Sequence, residues 1–365
     1  MLGHATFNAL DHCYRSAADA EEFEIALEHL AHAFGARGCS IVRPGAASRL
    51  STPASPLYKQ FLNQFVADGW APRDLRAQRG WPQLKLGKRV LIEHDVVSDE
   101  ERSTLAVYRD LYTHHDLYWW ATVRFAVGSD VWALSFLRSK SADPFGRKEA
   151  EELETLAPDM ARLVRLRETF AKARATDLVS ILGAIGEPGI VVADDLTVLA
   201  IGDQACVELE PEFQLRQGRL VANSQDAWDV AVRLRSLVRE VETGSPRLPL
   251  VLRRDAAGRR PLLLDVIRLA APNDYGPLAL VRLKDMDKRG RIDRVRLQDV
   301  FQLSQAEVKL AILIAEGTTL DSAAREIGVG RETARSQLKA LFEKTGCRRQ
   351  ADLAVLLLQA GVSGP

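Results

Sequence analysis

Residues 303–358 read LSQAEVKLAILIAEGTTLDSAAREIGVGRETARSQLKALFEKTGCRRQADLAVLLL, and the pattern within them decides how the rest is read. Leu303, Val308, Ala311, Ile314 and Ala315 recur at helical spacing, and Gly317 follows where a helix end favours a residue free to take positive φ. A second, short helix is expected to start at the Thr318/Thr319 cap position and to bury Ala323, Ala324 and Ile327 before Gly328 breaks it. A third should run from Gly330, as N-cap, through Lys344 to Gly346. Helix, tight glycine turn, helix is the order of a helix-turn-helix.

Stepping about 100° per residue separates two faces of the third helix. Ala334, Leu338, Leu341 and Phe342 fall inward; Arg331, Glu332, Arg335, Ser336 and Lys339 fall outward near the helix start, the end that reaches base edges in a major groove. Arginine can bind guanine with two hydrogen bonds, and lysine and serine can take phosphates or bases. Lys344, Arg348 and Arg349 extend the cluster, so residues 331–349 carry a local balance of +4 in a chain whose total is zero. The plainer reading, a solvated face with incidental charge, is set aside because of the two-helix layout.

The same stretch resembles the LuxR-type (GerE-like) DNA-binding domain. The resemblance rests on Leu303-Ser304 with Glu307, on Gly317, on Thr333-Ala334-Arg335, on Phe342 to Gly346, and on Arg348-Arg349-Gln350 before Leu353. It covers about a sixth of the chain and implies an all-α helix-turn-helix that binds double-stranded DNA, with Thr333 among the contact residues. Departures are Ala323 where the family usually has Ile, Ala334 where it has Val, and Gly330 where it often has Ser. The first two shrink apolar contacts, and the third weakens a cap by only a few tenths of a kcal/mol.

At 365 residues and 47% hydrophobic content, two or three domains are expected. Equal counts of 49 basic and 49 acidic residues exclude a generally polycationic coat. Neither an apolar run of membrane-spanning length nor a leader is seen, so the expected location is cytoplasmic. Cys13, Cys39, Cys206 and Cys347 lack CxxC pairing and read as reduced, mostly buried thiols.

Residues 1–172 are expected to form an α+β sensor of the GAF or PAS kind. A helix over Glu21–Phe34 leads into a strand at Cys39–Arg43, a Pro-, Ser- and Gly-rich loop follows, and Tyr58, Phe61, Leu62 and Phe65 restart a helix toward Trp70. Thr104–Tyr112 reads as helix, and Trp119–Val127 and Val131–Arg138 as a hairpin around Gly128-Ser129-Asp130. Five of the six tryptophans lie here. Ligand pockets are aromatic-lined with a few polar groups, which makes Tyr58, Phe61, Trp70, Asp74, Trp81, Tyr112, Trp119 and Trp132 the candidate ligand-binding residues for a small organic molecule. Ordinary core packing is the alternative for any single ring. His114-His115 reads as a helix terminus, with no metal or cofactor expected.

This region faintly resembles the N-terminal sensor of LuxR-type regulators, through Tyr58, Phe61, Phe65 and Trp70 followed by Asp74, and through Asp143-Pro144-Phe145 leading to Pro158. Asp74 is followed by Leu75, not Pro, so the family's acyl-homoserine lactone ligand is not implied. Leu153, Leu156, Met160, Leu163 and Phe170 then step by three and four from the Pro144 start, with Arg167 intruding. This stripe can pack on its own sheet or form a dimer seam; the seam of a homodimer is preferred because paired half-sites raise the affinity of a small DNA module.

Residues 176–286 give a helix at Leu178–Ile185, strands at Ile190–Ala193 and Val198–Ile201, helical pattern at Ala227–Val241, and strands at Pro249–Arg253, Leu262–Arg268 and Leu278–Leu283. The layout resembles a PAS-like domain. Gly189 to Asp195 also resembles the first strand and acidic pair of a phosphoacceptor receiver, but the third Asp and the Lys that chemistry needs are missing at the expected distance. Asp194-Asp195 is read as a turn. Residues 287–302 are read as a charged linker to the domain at 303–365. With neither G-x-S-x-G nor a Walker loop, an enzyme is not expected. The expectation is a ligand-responsive, dimeric transcription regulator on a pseudo-palindromic site, with RNA polymerase a candidate partner. A sensor without sequence-specific DNA binding stands second and a phosphorylation-driven response regulator third.

Overall fold

The computed structural model describes residues 3–43, 52–240, 248–254, 258–269, 277–288 and 291–363. The expected loop after Arg43 falls largely on residues 44–51, and Gly290 of the charged linker on 289–290, outside the described residues. The chain is mixed α/β with a helical C-terminal part.

The first unit comprises α1 (His4–Arg15), α2 (Ala20–Ala33), β1 (Gly38–Val42), α3 (Pro56–Ala67), α4 (Leu75–Lys85), β2 (Val90–Ile92), α5 (Asp99–Thr104), β3 (Trp119–Val127), β4 (Asp130–Arg138), α6 (Arg147–Glu154) and α7 (Ala157–Ala184). Asp19 caps α2 by accepting from the Glu22 amide, and Phe23, Ala26, Leu27, Leu30 and Ala31 form its buried face. The strands pair antiparallel in the order β1-β4-β3-β2. Their alternation sorts the sheet into two cores. Cys39, Ile41, Val123, Phe125, Leu134 and Phe136 face α1, α2, α6 and the start of α7. Trp120, Ala133 and Leu137 face Tyr58, Phe61 and Phe65 of α3 and a π-helical turn at Tyr108–Tyr112.

Two expectations fail here. Leu153, Leu156, Met160 and Leu163 are each 0% exposed inside the first of these cores. The stripe therefore packs on its own sheet and is not available as a dimer seam; of the five residues only Phe170 is exposed. Nor is the expected helix at Leu178–Ile185 a separate element. α7 runs unbroken for 28 residues, about 42 Å at 1.5 Å per residue. Arg167, which broke the apolar pattern, is buried over the Phe23 ring and donates to the Ala17 carbonyl at 3.1 Å.

The second unit contains β5 (Gly189–Ala193), β6 (Val198–Ile201), α8 (Asp203–Leu209), β7 (Phe213–Arg216), β8 (Arg219–Ala222), α9 (Gln225–Glu240), β9 (Leu248–Arg254), β10 (Arg259–Leu269) and β11 (Leu278–Asp285). A five-stranded antiparallel sheet has the order β6-β5-β11-β10-β9. One face packs on α8 and α9. The other receives Ala171, Ala175 and Val179 from the second half of α7, so a single helix belongs to both units. The approach is close: a Cβ on Gly189 would meet Leu182 Cδ1 at 2.5 Å. Asp194 and Asp195 lie at the β5–β6 turn, paired with Arg239 and Arg219.

Beyond β12 (Arg291–Ile292), α10 (Arg294–Phe301), α11 (Gln305–Ala315), α12 (Leu320–Ile327), α13 (Arg331–Thr345) and α14 (Gln350–Gly361) share one core, and β13 (Val362–Ser363) pairs back onto β12. Part of the expected linker is thus built into the bundle, with Leu297 of α10 fully buried. Among the described residues no helix is long and apolar enough to cross a membrane.

Candidate functional site

Local sequence builds the C-terminal bundle. Ser304 and Glu307 form a reciprocal capping box at the start of α11, with the Ser304 amide donating to Glu307 at 2.7 Å. Thr319 caps α12 by accepting from the Ser322 amide. Gly328 ends α12 at φ 77°, a left-handed conformation that lets the chain turn within two residues into α13. Ala334 and Leu341 are fully buried, with Leu338 and Phe342 partly so. The small Ala323 and Ala334 are each 0% exposed, so close helix approach takes the place of a larger side chain.

Arg331, Glu332, Thr333, Arg335, Ser336 and Lys339 are all exposed on the outer face of α13, and Arg348 and Arg349 are exposed at the turn into α14. The cations are pre-paired: Arg331 with Asp321 at 2.8 Å, Arg335 with Glu332 at 2.8 Å, and Lys339 with Glu343 at 3.9 Å. Solvated pairs of this kind are worth about 0–1 kcal/mol, so a phosphate or base can displace the acid at little cost.

Lys344 departs from its expected role. Its ammonium donates to the Gln302 carbonyl at 2.9 Å and to Glu307 at 2.7 Å, tying the end of α13 to the start of α11. Burial pushes the Glu307 carboxyl up, but Lys344 and the Ser304 amide and hydroxyl outweigh it and hold the group below the ordinary glutamate range. A depressed folded-state pKa contributes stability that is present above the unfolded value and lost as pH falls through the folded one. Glu307→Gln should therefore destabilise the bundle by about 1–3 kcal/mol at pH 7. The melting curves of variant and parent should converge below about pH 4, and a constant gap from pH 7 to 3 would rule the pairing out.

The first unit holds a cavity of about 80 Å³, counted as room for the centre of a water molecule, between the sheet and α3–α4. Of the candidate residues, Tyr58, Phe61, Asp74, Trp81 and Tyr112 line it. Trp70 does not; it packs at the margin of that core under the Arg73 guanidinium. Trp119 and Trp132 are on the wrong face of the sheet. Side chains alternate along a strand, so Trp119 and Trp132 point into the opposite core while Trp120 faces the cavity. The remaining lining includes Arg76, one of the polar groups the sequence offers for such a pocket, and Ser40, Gly80, Thr122 and Ser135, which the pattern did not single out. Strand parity is the signal that finds Trp120, Thr122 and Ser135 once α3 is assigned to that face.

Asp74 caps α4 by accepting from the Arg76 amide at 3.0 Å. Arg76 is buried and forms an ion pair with Glu93 at 2.8 Å, donates to the Tyr118 carbonyl at 2.5 Å, and stacks 4.0 Å from the Tyr112 ring centroid. Glu93 also receives the Tyr108 hydroxyl and, at 3.1 Å, the Trp120 amide. Arg76, on one side of the cavity, thus has its charge matched from within the protein.

No family model matches the chain, and no curated relative does either. Among solved structures, the chain is similar to the VqsR LBD domain from Pseudomonas aeruginosa, with 17% identity over 46% of this chain and 99% of that one and a TM-score of 0.33. It is also similar to CepR2 from Burkholderia cenocepacia, an N-acylhomoserine lactone dependent LuxR family transcription factor, with 12% identity over 44% and 94% and a TM-score of 0.33. Escherichia coli SdiA shows 11% identity over 97% of both chains with a TM-score of 0.29. At these TM-scores the likenesses are distant.

Proposed function

We propose that this protein is a ligand-responsive transcription regulator of the LuxR type. Arg331, Arg335 and Ser336 read bases in the major groove, and Thr333, Lys339, Arg348 and Arg349 contact the sites around them. The observation that carries this reading is the α12–Gly328–α13 geometry with its outward cationic face. The first unit, a sheet between helical layers with an aromatic cavity, supports a GAF-like or autoinducer-type sensor, and the antiparallel order β6-β5-β11-β10-β9 supports a PAS-like second unit. Asp74 and Trp81, half-buried at the cavity, are the groups to orient a bound molecule.

Two copies bind a pseudo-palindrome. Apolar groups left exposed on α7 (Phe170, Ile181) and on α14 (Val355, Leu358) supply surface for pairing in place of the seam that is buried. Because α7 packs in both units, a ligand that favours one arrangement of the first unit shifts the second with it.

The test is selection of genomic fragments by the full-length protein at near-physiological salt, with Arg335→Ala/Lys339→Ala as control. Enrichment of a two-fold symmetric site that the control loses is the expected result. Arg335→Ala alone should cost about 1–3 kcal/mol at one base position. Lys339→Ala should weaken all sequences alike and flatten the salt slope by about one. Lys344→Ala, by contrast, should lower bundle stability. Equal losses on every sequence from Arg335→Ala would refute base reading and favour the sensor without sequence-specific binding.

A further inference from the structure

The geometry points to a compact ligand that carries a hydroxyl or N–H-bearing polar group at its buried end, and not a long apolar tail. This rests on the pocket reading above and is carried by two further observations. The first is size. The cavity's 80 Å³ of room for water-sized centres is small against the roughly 300–1,000 Å³ of ordinary ligand pockets, which favours a compact molecule over a head group bearing a chain of eight or more carbons.

The second is the cavity floor. Ser40 on β1, Ser135 on β4 and Thr122 on β3 are register partners on one rung of the sheet, so their hydroxyls form a row across three strands. Thr122 donates to the Leu134 carbonyl at 3.2 Å, which spends its only proton. The 3.0 Å contact between Thr122 and Ser135 therefore has Ser135 donating, and Ser135 keeps acceptor capacity. Ser40, 0% exposed, has no hydrogen-bond partner for its Oγ. An unpaired buried hydroxyl is costly unless something else satisfies it. A ligand group that accepts from Ser40 and donates to Ser135 completes the row. Four- to six-carbon hydroxyketones and hydroxyamides have this shape, and the Phe61, Tyr112 and Trp120 rings clasp their carbon skeletons.

Three probe sets test this by thermal shift and calorimetry on the full-length chain: such hydroxyketones and hydroxyamides; the same skeletons with the terminal oxygen replaced by methyl; and N-acyl amides of eight or more carbons. Wild type should bind the first set at least tenfold more tightly than the second. Ser40→Ala should narrow that gap, and without ligand it should melt no lower than wild type, because it removes an unsatisfied group. Unliganded Ser40→Ala melting several degrees lower would overturn the inference, since Ser40 would then be bonded within the protein. Ala77 of α4 lines the cavity; preference for the long amides, abolished by Ala77→Trp or the smaller block Ala77→Leu, would overturn the inference while keeping the pocket. Binding by no set, or binding that both Ala77 blocks leave unchanged, would remove the pocket reading and this inference together.

Discussion

Glu93→Ala is expected to destabilise the first unit by about 3–5 kcal/mol, because it leaves the Arg76 guanidinium buried beside two tyrosine rings without its counter-charge. Arg76 and Glu93 are 6% and 1% exposed, so water cannot take over. The loss also strands the Tyr108 hydroxyl and the Trp120 amide, both held by the same carboxylate. In calorimetry the first unit's transition should fall by about 10 °C or more. Arg76→Met combined with Glu93→Ala should cost less than the sum of the single changes, since the two groups interact directly. Additive losses would show that the pair is not coupled. Arg76 also lines the cavity, so the single variant should bind any cavity ligand more weakly even at temperatures where it remains folded.

Asp285→Ala should act as strongly on the second unit, again by about 3–5 kcal/mol. Arg254, 0% exposed at the end of β9, pairs with Asp285 at the end of β11, and Arg259 approaches the same carboxylate at 2.9 Å. Burial pushes the Asp285 carboxyl up, but Arg254, the Asp287 amide and Arg259 outweigh it and hold it below the ordinary range. By linkage this stability is present above about pH 4 and lost as the pH falls through the lowered folded value. Asp287 lies 3.6 Å from Arg254 and should rescue part of the loss. The Asp285→Ala/Asp287→Ala pair should therefore unfold the second unit at lower denaturant than either single change. Unfolding midpoints unchanged at neutral pH in the single variant would refute the assignment. The position matters for the chain's continuity as well, since β11 is the strand that leads out of the second unit toward the bundle.

What was legible in the sequence follows the range of the interactions involved. Caps and glycine stops act within one turn, so Thr319, Gly328, Ser304 with Glu307, and the outward face of α13 could all be read locally. The β3–β4 hairpin was legible for the same reason, its turn residues and alternation lying within twenty residues. That a single helix serves two sheets was not. Helical spacing continues through Ala171, Ala175 and Val179, but the chain's periodicity does not say that these residues serve a different sheet from Met160 and Leu163.

The candidate site divides along the same line. The type of residue around a cavity, aromatic rings with an Asp, is a compositional signal, and Tyr58, Phe61, Asp74, Trp81 and Tyr112 carried it. Which of two adjacent tryptophans faces inward depends on which side of the sheet receives α3, a fact set by contacts between segments about sixty residues apart. Lys344 shows the same limit in the C-terminal bundle: its charge is visible in the sequence, but its carboxylate partner lies 37 residues away.

By itself, then, the sequence determined the helix-turn-helix, its cationic face and the aromatic character of the first unit, because each is encoded in neighbouring residues through helical pitch, capping and composition. Only the tertiary structure decided that α7 is shared by two units, that the apolar stripe running into its first half is core, and that Ser40, Ser135 and Thr122 meet on one rung. Those depend on register and packing between distant segments, where alternation fixes two faces but long-range contacts choose which one becomes the floor of a cavity.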